Sequence, residues 1–239
     1  MTAEEIRRMK ERVAQVRAEM ERACRAAGRA PGEVLLCAAS KTQNSETVRA
    51  AAALDIDLFG ENRVQELCEK YAAGAYSGKP VHFIGHLQTN KVRQVVGHVS
   101  LIQSVDSLRL LQALEREAAR QGVVQGVLLE VNIGAEESKS GFRPDEILAV
   151  AEKFVDFPHL EARGLMAIPP VSHVPGENLK FFSEMRHLFV DISRKKYDNV
   201  TMAVLSMGMS DDFADAIACG STMIRVGTAI FGPRSYHQV

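Results

Sequence analysis

The first hydrophobic pattern in the chain is that of an amphipathic helix. Apolar side chains recur there at spacings of three and four residues, which places them on one helical face. They are Ile6, Met9, Val13, Val16, Met20 and Cys24. Thr2 and Glu5 form a potential capping box before this stripe, and Gly28 and Pro31 follow it as stop signals. The pattern predicts a long N-terminal helix.

After this helix the pattern changes to short apolar runs that alternate with amphipathic stretches. Eight runs read as strands. They are Val34–Ser40, Ile56–Phe59, Val81–Ile84, Leu101–Val105, Gly126–Val131, Glu161–Ala167, Thr201–Leu205 and Thr222–Phe231. Strands separated by helices form βα units and a parallel sheet. Eight units in 239 residues predict a single α/β domain over residues 1–239, a closed (β/α)8 barrel with an additional N-terminal helix. A doubly wound open sheet is the competing architecture.

Composition narrows the function classes. Apolar residues make up 46% and charged residues 25%, as is typical of a globular protein. The formal net charge of −1 gives no bulk attraction to nucleic acid or to an anionic membrane. No apolar run reaches membrane-spanning length, and the charged N-terminus does not resemble a secretory signal. The four cysteines are scattered and no metal-ligand spacing is present. We therefore expect a cytoplasmic protein without a metal site.

Lys41 is the first candidate for chemistry. It follows the first predicted strand, and functional residues of parallel barrels lie at the carboxyl ends of the strands. A lysine amine placed there can form a Schiff base with an aldehyde if its pKa is lowered enough to leave it nucleophilic. The alternative is a solvated lysine at the start of a loop. Lys79, Lys91 and Lys139 are interpreted as solvated lysines of that kind.

The ends of the last two predicted strands indicate a phosphate site. Barrels often bind phosphate in the loops after these strands, and Ser206, Gly208, Gly227 and Thr228 offer hydroxyl groups and close backbone approach. Ordinary turn chemistry is the alternative. Arg225 interrupts an apolar strand, and a buried arginine needs a partner. That partner is either a structural carboxylate or an acceptor atom of a ligand in the barrel mouth.

Two further polar residues follow predicted strands. Asn62 either hydrogen-bonds a ligand or caps the next helix, and the cap is the favoured interpretation. His86 could act as an acid or base, but no catalytic partner is adjacent in sequence, so a structural role is favoured.

Five ordered motifs resemble those of the pyridoxal phosphate homeostasis protein family. They are Ala39-Ser40-Lys41-Thr42, Phe59-Gly60-Glu61-Asn62, His82-Phe83-Ile84-Gly85-His86-Leu87-Gln88, Ser206-Met207-Gly208-Met209-Ser210-Asp211-Asp212 and Ile224-Arg225-Val226-Gly227-Thr228. The resemblance spans nearly the whole chain. It implies a barrel like the N-terminal domain of alanine racemase, without that enzyme's second, β-rich domain.

The resemblance implies that pyridoxal 5′-phosphate (PLP) is the cofactor and that Lys41 forms the Schiff base. Ser206, Gly227 and Thr228 match phosphate-binding positions, as does Gly208 less closely, and Arg225 matches the arginine that faces the pyridine nitrogen. Asn62 matches a position near the cofactor. The family usually has Lys-Pro after Ser-Lys-Thr, where this chain has Gln43-Asn44. This departure changes the loop beside the cofactor but leaves the lysine.

These residues support two main hypotheses. The first is a protein that holds PLP without efficient turnover and serves vitamin B6 homeostasis, because an arginine at the ring nitrogen weakens the ring as an electron sink. Its partners would be PLP and, as recipients, PLP-dependent apoenzymes, and the racemase comparison implies a monomer. The second is an amino-acid racemase or related α-carbon proton-transfer enzyme. A barrel enzyme for phosphate ligands without a Schiff base is a third, weaker hypothesis.

Overall fold

Eight parallel strands close into a barrel in the order in which they occur along the chain. The computed structural model describes residues 1–136, 138–172 and 174–233. Within them the strands are β1 Leu35–Ala39, β2 Leu58–Glu61, β3 Val81–Phe83, β4 Leu101–Val105, β5 Gln125–Val131, β6 Leu160–Ala167, β7 Val200–Ser206 and β8 Met223–Val226. Because β1 pairs with both β2 and β8, the sheet has no edge. The predicted (β/α)8 barrel is confirmed and the open sheet is excluded.

Helices surround the barrel. In the described residues they are α1 Ala3–Ala26, α2 Ser45–Ala52, α3 Val64–Ala72, α4 Leu108–Gln121, α5 Ile147–Glu152, α6 Leu179–Lys195, α7 Phe213–Ala218 and α8 Thr228–Phe231. Short 3-10 helices span Thr89–Gln94, after β3, and Lys153–Asp156, after α5. None of the described helices is both long and apolar enough to cross a membrane.

The additional N-terminal helix is confirmed as α1, which packs against α7 and α8. Thr2 and Glu5 form the predicted capping box. The predicted stripe is buried from Met9 to Cys24, whereas Ile6 at its start is 37% exposed. The buried stripe joins the large apolar cluster between the barrel and its helices.

The extent of the last strand differs from the prediction. Strand β8 ends at Val226, and Thr228–Phe231 form α8 instead of continuing the strand to Phe231. The backbone carbonyl of Gly227 accepts the N–H groups of Ile230 and Phe231, which closes this helical turn. A short apolar run fits a strand and a buried helix equally well, so its periodicity could not locate the boundary.

The barrel interior is layered. Two small apolar clusters fill part of it, one formed by Cys37, Leu58 and Met223 and the other by Leu101, Leu128 and Met166. Four polar side chains also lie inside the barrel: His82, Gln103, Ser206 and Arg225. Packed side chains thus close the barrel beneath the strand ends, as in other parallel barrels.

Candidate functional site

A cavity of about 500 Å³ opens at the carboxyl ends of the strands. Five of the seven predicted site residues line it, namely Lys41, Asn62, Arg225, Gly227 and Thr228. The other two, Ser206 and Gly208, are buried and do not line the cavity. Residues that lie 187 positions apart in the chain, Lys41 and Thr228, therefore meet in one cavity because the barrel closes.

Lys41 lies in a tight turn that directly follows β1. The Gln43 N–H donates to the Ser40 carbonyl at 3.1 Å, and Thr42 adopts a φ of 66°. That left-handed conformation is unusual for a residue other than glycine. The turn holds the half-buried Lys41 at the cavity wall.

Asn62 lines the cavity and does not cap the next helix. The N-cap position of α3 is Arg63, without a side-chain cap, so the favoured sequence interpretation of Asn62 was wrong. The backbone of Asn62 packs closely against Gly85, where a side chain would not fit, because a Cβ on Gly85 would lie 2.2 Å from the Asn62 carbonyl oxygen. The Oδ1 atom of Asn62 is buried and has no hydrogen-bond partner among the described residues. A buried acceptor of this kind fits a donor atom of a ligand.

Arg225 reaches the cavity from inside the barrel and is only 5% exposed. Its Nη1 donates to Ser206 Oγ at 2.6 Å, and its Nη2 donates to the Ala167 carbonyl at 2.9 Å. In the described part of the chain, no carboxylate lies within ion-pair distance of its guanidinium. The structure therefore does not supply the structural carboxylate that the sequence left open as a partner.

Burial lowers the pKa of Arg225 from its ordinary value. The ordinary value is so high that the guanidinium still carries its proton at neutral pH. The hydrogen bonds of the guanidinium to Ser206 and Ala167 go to neutral oxygens, which leaves its positive charge without a directly bonded anion among the described residues. An acceptor atom or a negative charge on a ligand would be stabilised beside it.

The hydrogen bonds continue beyond Arg225 as a chain across the barrel. Ser206 Oγ donates to Gln103 Oε1 at 2.7 Å, and Gln103 Nε2 donates to His82 Nδ1 at 2.8 Å. We call Arg225, Ser206, Gln103 and His82 the cross-barrel chain. Burial lowers the pKa of His82 to about 4, so its ring is neutral and carries its proton on Nε2. Along this chain each residue donates to the next one, starting from Arg225 and ending at His82. The chain therefore orients the guanidinium without a carboxylate as its counter-ion.

Ser206 and Gly208 therefore have structural contacts where the sequence suggested phosphate ligands. The Ser206 hydroxyl is fully buried between Arg225 and Gln103. Gly208 has a φ of 94°, and its carbonyl accepts the Arg225 backbone N–H at 3.0 Å. A Cβ on Gly208 would lie 2.6 Å from the Ala216 Cβ, so its lack of a side chain serves packing against α7.

The predicted site residue Thr228 forms a hydroxyl pair at the cavity, beside Gly227, with Ser210, which was not predicted as a site residue. Thr228 Oγ1 donates to Ser210 Oγ at 3.1 Å, and the Ala229 N–H donates to the same oxygen at 3.4 Å. Ser210 stands in the quoted Ser206–Asp212 motif, four residues after the serine that was selected. Together with Gly227, this pair could hold an anionic oxygen at the cavity wall.

The opposite side of the cavity carries titratable groups. Glu130 of β5 lines it, and burial together with the charge of Asp106 raises the pKa of Glu130 to about 7. His86 also lines the cavity, and its Nδ1 lies 3.0 Å from Asp106 Oδ2. No catalytic partner is adjacent to His86 in sequence, but Asp106 follows the neighbouring strand β4 and the fold brings its carboxylate to the His86 ring. Lys139, interpreted as solvated, also lines the cavity and is half-buried.

No group of three or more His, Cys, Asp or Glu side chains in the described ranges is arranged to hold a metal ion. The cavity is instead lined by the amine-bearing Lys41 after β1, the guanidinium of Arg225, the amide oxygen of Asn62 and the paired hydroxyls of Ser210 and Thr228. These are groups for an organic ligand that carries a carbonyl carbon and an anion.

Comparison with known proteins identifies the family of the chain. Residues 12–235 match the family model described as alanine racemase, N-terminal domain. The pyridoxal phosphate homeostasis protein of Aquifex aeolicus is 40% identical over 226 residues, which cover 95% of this chain and 98% of the relative.

Two solved structures are similar along nearly their whole length. An unknown protein from Bifidobacterium adolescentis has a TM-score of 0.91 and 36% identity, with 97% of each chain covered. PipY of Synechococcus elongatus PCC7942, solved with PLP bound, has a TM-score of 0.80 and 32% identity, with 94% of this chain and 100% of PipY covered. The chain therefore belongs to the pyridoxal phosphate homeostasis protein family, and its barrel to the wider family of alanine racemase N-terminal domains.

Proposed function

We propose that this protein binds PLP in the cavity, holds it as a Schiff base on Lys41 and serves intracellular vitamin B6 homeostasis. The observation that carries this proposal is that Lys41 and the buried guanidinium of Arg225 line the same cavity. PipY, a relative with 32% identity, was solved with PLP bound, and relatives with up to 40% identity are named pyridoxal phosphate homeostasis proteins. These similarities support the assignment of the ligand.

The residues present fit PLP. When bound, PLP supplies an aldehyde carbon and an electron-withdrawing ring. Lys41 would supply the amine, and Arg225 would donate a hydrogen bond to the ring nitrogen. The unbonded Asn62 Oδ1 would accept a hydrogen bond from a hydroxyl group of the ligand. We assign the phosphate to Ser210, Gly227 and Thr228, and we propose that Ser206 and Gly208 support it indirectly.

We further propose that turnover is inefficient. A protonated guanidinium can only donate, so a ring nitrogen that faces Arg225 stays unprotonated. A neutral ring withdraws fewer electrons from a reacting carbon than a protonated one, which weakens carbanion chemistry. No carboxylate of the described residues forms an ion pair with Arg225, so its charge opposes protonation of a ring nitrogen placed beside it.

Borohydride reduction followed by peptide mapping tests the covalent assignment. We expect a pyridoxyl adduct on Lys41 and its loss in Lys41→Ala. Lys139 is the internal control, because it is the other lysine that lines the cavity. An adduct on Lys139 in the parent protein, or no adduct at saturating PLP, contradicts the proposal.

A second candidate function is α-carbon proton transfer on amino acids. The observation that favours it is the His86–Asp106 pair, since a carboxylate that orients a histidine is an arrangement typical of a general base. Deuterium exchange at the α-carbon of an amino-acid panel distinguishes the two. Rapid exchange that is lost in both Lys41→Ala and His86→Gln would replace the binding function with catalysis.

We propose four further features, two from the sequence pattern and two from the family resemblance. They are a single domain over residues 1–239, a monomer, a cytoplasmic location and delivery of PLP to apoenzymes. Sedimentation equilibrium tests the monomer. Activation of a PLP-dependent apoenzyme by the loaded protein, faster than by the PLP that dissociates from it, tests delivery.

A further inference from the structure

Lys70 is buried directly behind the turn that carries Lys41. Its side chain is 4% exposed, and its ammonium group donates to both carboxylate oxygens of Glu61, at 2.8 and 2.9 Å. It also donates to the Ser40 carbonyl at 2.8 Å and to Glu66 Oε2 at 3.3 Å. Within the described ranges, Lys70 and Arg225 are the two buried residues that carry an ammonium or a guanidinium group. One serves the cross-barrel chain, and the other serves this cluster.

The contacts of Lys70 meet the backbone on both sides of Lys41. On the N-terminal side, Lys70 holds the Ser40 carbonyl, while the Ser40 hydroxyl donates to Glu61 Oε1 at 2.6 Å. On the C-terminal side, the Thr42 N–H donates to Glu66 Oε2 at 2.7 Å. We call Ser40, Glu61, Glu66, Lys70 and Tyr76 the Lys70 cluster; the Tyr76 hydroxyl completes it by donating to Glu61 Oε1.

Within the Lys70 cluster, the positive charge of Lys70 is balanced by the carboxylates that it contacts. Burial raises the pKa of Glu61, whereas the charge of Lys70 and the hydrogen bonds from Lys70 and Ser40 lower it. A buried ammonium needs acceptors for its protons, and the two carboxylates and the Ser40 carbonyl supply them. Removing Lys70 would leave Glu61 buried without a counter-charge, so the arrangement depends on all of its members.

We propose that the Lys70 cluster is a positioning device for Lys41: through hydrogen bonds to Ser40 and Thr42 it holds the turn in the conformation that directs the Lys41 amine into the cavity. This inference rests on the proposed function in taking Lys41 as the lysine that captures PLP. Thr42 has a φ of 66°, which an isolated turn of this sequence would not favour. The hydrogen bond from Thr42 N–H to Glu66 Oε2 is present in this conformation and helps to offset its cost.

The unloaded protein tests the cluster without PLP. Glu66→Ala removes the acceptor of the Thr42 N–H, and its side chain is 19% exposed, so folding should survive. We expect exchange of the Thr42 amide proton, measured by NMR, to accelerate about tenfold or more, as loss of a hydrogen bond to a charged acceptor predicts. Glu66→Gln keeps an acceptor oxygen and should restore protection. Glu69→Ala, on the exposed face of α3, is the matched control and should leave the exchange rate unchanged.

Capture of PLP tests the functional consequence. The rate at which limiting PLP forms a borohydride-reducible adduct on Lys41 should fall about tenfold in Glu66→Ala and recover in Glu66→Gln. Lys70→Met should slow the reaction at least as much. Its matched control is Lys79→Met: Lys79 Nζ also donates to a backbone carbonyl, that of Ile56, at 2.7 Å, but Lys79 lies before β3 and does not line the cavity.

Lys79→Met should lower the unfolding midpoint without slowing adduct formation. If Lys70→Met does not fold, the Glu66 variants carry the test alone. Unchanged Thr42 exchange in Glu66→Ala, or an unchanged capture rate despite faster exchange, overturns the positioning role. Failure of the parent protein to form any adduct refutes the proposed function instead, and the amide-exchange comparison distinguishes the two cases.

Discussion

Glu130→Gln should change how the stability of the unloaded protein depends on pH. Glu130 lines the cavity, and burial, assisted by Asp106, raises its pKa to about 7, while Arg225 and His86 act in the opposite direction. A carboxyl group whose pKa is higher in the folded than in the unfolded protein binds more protons in the folded state. Its favourable contribution is therefore present below pH 4.5 and is lost as the pH rises through about 7.

The magnitude follows from the shift. A rise from 4.5 to about 7 corresponds to at most ~3.5 kcal/mol, because each pKa unit is worth about 1.4 kcal/mol. The Glu130 side chain is only partly buried, so screening by solvent reduces this to about 1–2 kcal/mol. Glutamine cannot ionise. The variant should gain about this free energy of unfolding relative to the parent between ~pH 5 and ~pH 8.

Urea denaturation of the parent and of Glu130→Gln at these two pH values measures the difference. Glu152→Gln is the control, because Glu152 is exposed on α5 and the same chemical change there should leave the pH dependence unaltered. If the difference in unfolding free energy between Glu130→Gln and the parent agrees at the two pH values within about 0.5 kcal/mol, the reasoning is refuted.

Three further predictions concern the supports of the site. Gly85→Ala should lower the unfolding free energy by about 2 kcal/mol or more and weaken PLP binding, since the new methyl group would collide with the Asn62 backbone; urea denaturation and PLP titration measure the two effects. Gln103→Leu interrupts the cross-barrel chain and should weaken PLP binding and shift the absorption of bound PLP, because Arg225 loses its orientation; an unchanged spectrum contradicts this. In the double variant Glu66→Ala/Gln103→Leu, the losses of PLP-binding free energy should add within about 0.5 kcal/mol. A larger coupling would mean that the two networks are not independent.

The barrel could be predicted because the same strand-and-helix pattern repeats along the sequence. Each strand is a short apolar run followed by an amphipathic or basic stretch, and eight repetitions in order leave few topologies. Lys41 could be identified for the same reason, since it follows a strand whose end was placed within one residue of the observed end.

Ser206 shows how one residue at a strand end changes a predicted role. The sequence placed the end of the seventh strand at Leu205, which would leave Ser206 in the loop at the cavity. In the structure β7 includes Ser206, which pairs with Met223 and turns its hydroxyl into the barrel. Successive residues of a strand face opposite sides, so a boundary shift of one residue converts a ligand contact into an internal one.

Gln103 and His82 lie within strands that read as apolar, so nothing in their local pattern indicated a role. Their hydrogen bonds join β3 and β4 to β7 and β8, which requires the barrel to be closed. Similarly, His86 lies 20 residues before Asp106. Partners that depend on tertiary closure cannot be recognised from spacing along one sequence.

The two groups that define the proposed site are held in different ways, and the difference suits a protein that binds its ligand reversibly. The Lys70 cluster contacts the backbone on both sides of Lys41, at the Ser40 carbonyl and the Thr42 N–H, so it acts on the approach of the amine through the backbone. The cross-barrel chain instead bonds the Arg225 side chain directly, which fixes the direction of a charge. Because the two networks share no residue, a substitution in the Lys70 cluster should slow the capture of PLP without shifting the absorption of bound PLP, whereas a substitution in the cross-barrel chain should change both affinity and absorption.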